Sequence, residues 1–170
     1  MLLTIWTNRF LILELSKRGY KLALLTDKRA RSYSGILGSL DTHIVYSRSS
    51  GNIKSLALFN SAAMTLFRVF SAHQILKNLS PSLVIGFGGY PSLPTVLAAQ
   101  LGKVNSIIHE QNAILGRANR ILAPLSSVIA TSFPETYRVK SSKNNVFHTG
   151  NPVRKEIKDL ESSPYKPPKP

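Results

Sequence analysis

Apolar residues fall in short unbroken runs separated by helix-length segments, most regularly between residues 83 and 131. Residues 83–87 (LVIGF) make one run, 92–101 a helical pattern, and 105–109 (NSIIH) another run. Residues 114–122 then predict a helix, 127–131 (SVIAT) a strand, and 145–148 a last short strand. Upstream, residues 10–17 (FLILELSK) predict a helix closed at Arg18-Gly19, with the glycine just past its last turn. Residues 21–27 (KLALLTD) and 42–47 (THIVYS) predict strands, and 53–79 a long helix stopped at Ser80-Pro81. Strands that alternate with helices and stay apolar at every position predict an α/β fold. Its sheet is parallel, with helices on both faces.

In such sheets ligands bind beyond the carboxyl ends of the strands. Two polar turns fall there. In Gly86-Phe87-Gly88-Gly89-Tyr90-Pro91 the glycines permit a tight turn with uncovered N–H groups, and a helix starting near Ser92 adds its positive end, which suits a phosphate. A glycine turn made for packing alone reads the same way. The second turn is His109-Glu110-Gln111-Asn112. Glu110 suits a base or an acceptor for sugar hydroxyls, Gln111 and Asn112 bond hydroxyls or amides, and His109 orients or shares a proton. Structural roles compete: Asn112 as the cap of a helix beginning near Ile114, His109 as a satisfied buried histidine. A third turn, Thr149 to Arg154 (TGNPVR), starts at Asn151-Pro152 and carries Arg154 as a fixed cation.

Composition narrows the classes. The 170 residues suit one domain, and a hydrophobic fraction of 43% suits a packed core. There is no Cys, which excludes disulfides and thiolate metal sites, and the four His have no short ligand spacing, so no metal is expected. The formal charge is +14, spread without a dense block, and favours phosphate-bearing partners. Nucleic acid is not expected, because charge is the only feature pointing to it. No apolar run reaches the roughly 18 residues of a spanning helix. The opening run through Trp6 is interrupted by Asn8 and Arg9, and it does not read as a signal peptide. In the long helix Leu66, Phe67, Val69 and Phe70 are bulky, with Lys54, Arg68 and Lys77 among few charges. It is either a buried helix or one lying on an anionic membrane. Residues 155–170, ending in four prolines among seven residues, read as a linker or tail.

The segments VIGFGGYPSLPTVLAAQLG, IIHEQNAILGRANRILA, ATSFPET and TGNPVR, in this order, closely resemble the N-terminal domain of the MurG family. These are the bacterial UDP-N-acetylglucosamine transferases that complete lipid II in peptidoglycan synthesis. The resemblance runs from about Phe10 to Arg154. It implies a Rossmann-like acceptor domain over residues 1–154, half of a two-domain GT-B-type glycosyltransferase. It also implies an inverting transfer of GlcNAc from UDP-GlcNAc to lipid I (undecaprenyl-diphospho-MurNAc-pentapeptide), with no cofactor and no obligatory metal. On this resemblance Gly88, Gly89 and Tyr90 meet the acceptor diphosphate, with His109, Glu110 and Gln111 on the same cleft. Asn112 and Arg154 contact the UDP-GlcNAc donor. Leu66, Phe67, Arg68 and Phe70 form a membrane patch at the cytoplasmic face of the bacterial inner membrane. No catalytic residue is assigned beyond Glu110 and His109 as weak candidates.

Family members begin with a strand and a Gly-Gly-Thr-Gly-Gly-His loop before the first helix, whereas here only MLLTIWTNR precedes it. The expectation is a domain lacking that first strand, its glycine loop and the C-terminal domain, and inactive alone. LLTIW either replaces the strand or extends the helix, and periodicity does not decide at this length. The alternative is a non-catalytic membrane-associated module that binds the lipid-linked precursor or a separate chain supplying the C-terminal domain.

Overall fold

The structure, a computed structural model, describes residues 2–4, 9–26, 40–45, 57–139 and 145–151. The elements are β1 (Leu2–Thr4), α1 (Arg9–Lys17), β2 (Ala23–Thr26), β3 (Asp41–Ile44), α2 (Ala57–Leu79) and β4 (Leu83–Gly86). They continue with α3 (Gly89–Leu101), β5 (Asn105–Glu110), α4 (Arg117–Leu122), β6 (Val128–Thr131) and β7 (Asn145–His148). Among the described residues the strands form one parallel sheet of order β3-β2-β1-β4-β5-β6-β7. The chain winds outward from β1 to one edge and then returns to build the other side from β4, the Rossmann-like order.

This topology corrects one expectation: the first strand is present. Leu2 and Leu3 pair with Ala23 and Leu24 on one side, and Leu2, Leu3 and Thr4 pair with Val84, Ile85 and Gly86 on the other. Three residues are too few to show a period, yet this strand fills the central slot that a parallel sheet cannot leave open.

The inner strands β2, β4, β5 and β6 carry adjacent apolar residues because both sides of the sheet are covered there. The edge strands β3 (DTHI) and β7 (NVFH) are more polar and largely exposed, against the expectation of strands apolar at every position. Leu25, Val84, Ile108 and Ile129 face a core shared with Val69, Ala72 and Leu76 of α2, Val96, Ala98 and Ala99 of α3 and Leu122 of α4. Their sequence neighbours Leu24, Ile85 and Ile107 face the other way, onto Ile12 and Leu11 of α1. Each such side chain contributes about 1.5–3 kcal/mol of burial. The glycine expected to close α1 does so: the N–H of Gly19 donates to Ser16 O at 3.0 Å and that of Tyr20 to Leu15 O at 3.1 Å, a Schellman pair.

Several boundaries differ from the pattern. The strand expected over 42–47 is Asp41–Ile44, and 46–47 lie outside the described residues. The long helix is described from Ala57, so 53–56 also lie outside. The helix expected from Ile114 begins at Arg117. Residues 113–115 are instead tied to the 137 turn, with Leu115 N–H donating to Tyr137 O and Tyr137 N–H to Ala113 O. Arg154, Lys54 and the tail over 155–170 lie outside the described residues.

Gly86 marks the closest approach of helix to sheet, since a Cβ there would stand 2.8 Å from Val96 Cγ2. Gly86→Ala is therefore expected to destabilise the fold by about 1–3 kcal/mol through overpacking. Leu101→Ala, at a side chain 70% exposed, should stay within about 0.5 kcal/mol. Urea unfolding of the two variants beside wild type checks the contrast.

Candidate functional site

Both polar turns lie at the carboxyl edge of the sheet, after the neighbouring strands β4 and β5. After β4 the chain turns through Phe87, Gly88 and Gly89 into α3. Gly88 has φ 78 and ψ −172, a region essentially reserved for glycine. It is the N-cap of α3 and supplies no side-chain cap, while the Ser92 hydroxyl donates back to Gly88 O at 2.6 Å. The helix expected from Ser92 thus begins three residues earlier, which puts the backbone of Tyr90 in its first turn.

After β5 the chemistry centres on Glu110, whose residue is only 2% exposed. Its Oε1 accepts from Asn112 N at 3.0 Å and Asn112 Nδ2 at 2.8 Å. Its Oε2 accepts from Gly116 N at 2.8 Å and Asn119 Nδ2 at 2.9 Å. Burial alone raises the Glu110 pKa, but these bonds from Gly116, Asn119 and Asn112 outweigh it and hold the carboxyl below its ordinary range. All four acceptor directions of the carboxylate are taken. Asn112 does not cap α4, whose N-cap is Gly116.

His109 points away from this cluster of bonds. Its ring lies 5.7 Å from that of Phe87, and its Nε2 donates to Gly150 O at 3.2 Å, which assigns the proton to Nε2. Desolvation lowers its pKa, against the raising effects of the Gly150 bond and the Glu110 charge, so the ring is neutral. Gln111 Nε2 donates to Phe87 O at 3.3 Å and ties the two turns together.

Between the turns lies a cleft of about 390 Å³. Phe87, Gly88, Gly89 and Leu93 form one wall, and Gly116, Arg117, Ala118, Asn119 and Ile121 the other. Glu110, Gln111 and Asn112 close the floor. Five of the expected residues (Gly88, Gly89, Glu110, Gln111 and Asn112) are thus brought together. The His109 side chain is not among the lining residues, and Arg154 lies outside the described residues.

Asn119 was not singled out by sequence reasoning and is central here. It is 2% exposed, and its Nδ2 donates to His109 O at 3.2 Å as well as to Glu110. Its Oδ1 is buried without a protein partner among the described residues. The available signal was a poor helix former three residues past a glycine. Away from the cleft, α2 buries Val69, Ala72 and Leu76 and leaves Leu66, Phe67 and Phe70 at 70%, 59% and 61% exposure. Among the described residues no helix is long and apolar enough to cross a membrane.

Residues 10–131 match the glycosyltransferase family 28 N-terminal domain. The chain is 41% identical over 157 residues to the UDP-N-acetylglucosamine--N-acetylmuramyl-(pentapeptide) pyrophosphoryl-undecaprenol N-acetylglucosamine transferase of Rhodopseudomonas palustris. That match covers 91% of this chain and 42% of the relative. Among solved structures, Acinetobacter baumannii MurG superposes with a TM-score of 0.63 at 25% identity, covering 85% of this chain and 43% of that one. The UDP-GlcNAc 2-epimerase of Neisseria meningitidis, solved bound to UDP-GlcNAc, superposes at 0.60 with 18% identity, over 95% of this chain and 50% of that one. This second likeness concerns the fold alone. The chain spans about two fifths of the length of the curated relatives it matches.

Glu110→Gln turns an amide NH₂ toward groups that are themselves donors, and should cost about 1–3 kcal/mol of stability near pH 7. Because the folded pKa is lowered, the unfolded state binds more protons between the two values. The carboxylate's contribution is present above its ordinary value of 4.5 and is lost as pH falls through the folded value. His109, lowered from 6.5, destabilises the fold in the same direction once pH drops below that figure. Urea unfolding of wild type and Glu110→Gln over an acid series should show the gap narrowing below 4.5. A gap independent of pH would contradict an ionised Glu110.

Proposed function

The chain belongs to glycosyltransferase family 28, and from that premise we propose that it forms the acceptor side of an inverting GlcNAc transferase of peptidoglycan synthesis. UDP-GlcNAc is the donor and lipid I the lipid-linked acceptor. The observation that carries this reading is the preformed cleft between Gly88-Gly89 and the Glu110–Asn112 turn, at the carboxyl edge of a parallel sheet. In the reaction the MurNAc 4-hydroxyl attacks the anomeric carbon from the face opposite the nucleotide. A C–O bond forms as the bond to UDP breaks, UDP leaves with the electron pair, and the hydroxyl proton passes to solvent water.

The chain's own groups divide the work. The uncapped first turn of α3, opened by Gly88 and Gly89, faces the acceptor diphosphate with N–H groups and a favourable dipole. Arg117 at the rim adds positive charge. Gln111 and Asn112 bond the sugar, and Arg154 approaches the donor. Glu110, with its acceptor sites filled and its pKa lowered, is better suited to holding this floor than to taking a proton. The buried neutral His109 is likewise poorly placed to act as the base.

The exposed Leu66, Phe67 and Phe70, with Arg68 between them, fit insertion into an anionic bilayer. On this reading the protein is peripheral, at the cytoplasmic face of the inner membrane where a lipid-linked acceptor is reached.

Two measurements test these roles. Radiolabelled UDP-GlcNAc and lipid I in detergent should give no lipid II with the 170-residue chain alone. A relative's C-terminal domain, supplied together with its Gly-Gly-Thr-Gly-Gly-His loop at the amino end, should restore turnover. Acceptor binding with no turnover under any complementation would favour the non-catalytic module. Separately, Leu66→Ser, Phe67→Ser and Phe70→Ser combined should weaken binding to phosphatidylglycerol vesicles about tenfold or more. The unfolding midpoint should hold, since these side chains are exposed. Unchanged vesicle binding would remove the membrane role from α2.

A further inference from the structure

Resting on the transferase reading, we infer that Glu110 and Asn119 are positioning residues that hold the Asn112 amide with its carbonyl outward. The cleft then presents a hydrogen-bond acceptor at this point and selects a hydroxyl or N–H of the bound sugar over a phosphate oxygen. A carboxylate only accepts, so Glu110 Oε1, bonded to both the backbone N and Nδ2 of Asn112, fixes which end of that amide turns inward. The outward end is Oδ1, on an exposed residue of the cleft floor.

Glu110 is itself held from the far side. Gly116 N and Asn119 Nδ2 take its other oxygen, and a Cβ at position 116 would stand 3.3 Å from that oxygen, so the loop closes on the carboxylate. Asn119 is oriented in turn, because both partners of its Nδ2, Glu110 and His109 O, are acceptors. A line of fixed polarity therefore runs from α4 through a buried charge to the cleft.

The consequence is orientation of the ligand. The α3 N-terminus and Arg117 favour anionic oxygens at one part of the cleft, whereas Asn112 Oδ1 offers such oxygens no donor. A molecule carrying both phosphate and sugar is seated in one direction only, with the phosphate toward Gly89 and a sugar donor toward Asn112.

Nitrogen-15 spectra of the wild-type 170-residue protein test the relay without any variant. On acidification the side-chain NH₂ signals of Asn112 and Asn119 and the backbone signal of Gly116 should shift together with one midpoint. The other charged or titratable groups beside Glu110 are His109 on β5 and Arg117 on α4, and the His109 ring carbons report its titration separately. In Glu110→Gln the Asn112 NH₂ pair should move to the position of a solvated amide while the dispersed backbone spectrum is retained. Should that variant fail to fold, the wild-type titration decides alone. Asn112 signals that ignore the Gly116 titration would overturn the proposal. Addition of lipid I in detergent should shift the cleft residues and leave the Asn112 NH₂ pair at its carboxylate-bonded position. Loss of that position on binding would overturn the outward carbonyl. An intact co-titration with no response to lipid I would count against the transferase reading and not against the relay.

Discussion

A buried carboxylate is costly unless its charge is met by donors, by several kcal/mol for an ion removed from water. Glu110 meets that requirement with two backbone N–H groups and two side-chain amides drawn from three places: the loop after β5, the residue that opens α4, and the first turn of α4. The loop over 111–116 is too short for regular structure, and α4 has six residues, well below what forms a stable helix in isolation. Backbone bonds to the Tyr137 turn and the burial of Leu115 and Leu122 hold part of this path, and the charge joins its pieces at the cleft. Glu110 also fixes the neighbouring turn, because its backbone carbonyl accepts from Ser132 N–H at 2.9 Å.

A parallel sheet concentrates polar residues where its strands end. Along β4, β5 and β6 the interior positions are committed to one core or the other, so groups able to meet a ligand are confined to the last residue or the turn beyond it. β5 extends past its β4 partner by two residues, His109 and Glu110, and these pair with Ala130 and Thr131 of β6. That extension is what lets the floor of the cleft come from β5 and one wall from the shorter β4.

Much of this arrangement was legible in the sequence, and the misses have definite causes. The order of strands and helices followed from short runs such as 83–87 and 105–109, where adjacent apolar pairs (Val84-Ile85, Ile107-Ile108) point to opposite faces of a doubly covered sheet. The two turns were located by their glycines and by four consecutive polar side chains. Leu2–Thr4 is shorter than any period, so the choice between a replacement first strand and an extended helix is settled only by its pairing with both neighbours. Asn119 was passed over because a polar residue in a helix reads as solvent-facing until the helix is placed. Glu110 shows the limit most clearly: a lone carboxylate after a strand suits a base as well as a brace, and only its partners tell the two apart.

The same limit explains α2, whose apolar residues follow no single stripe. One set, Val69, Ala72 and Leu76, recurs at helical spacing and packs into the core, while Leu66, Phe67 and Phe70 fall on other positions and remain exposed. A helix with an apolar stripe on each side has little amphipathic contrast, so the pattern fitted both a buried helix and a membrane-facing one. The structure packs one side into the core and leaves the other exposed. α2 lies along α3, joined by the His73 Nδ1 contact to Ala98 O at 3.3 Å, and α3 in turn opens onto the cleft at Gly88 and Gly89. If the exposed side of α2 rests on a bilayer, as proposed, one rigid helix pair carries both constraints. The distance from lipid surface to the proposed phosphate site is then set by packing in the core and not by a flexible loop, which suits the proposed acceptor, whose head group stays tethered to the membrane.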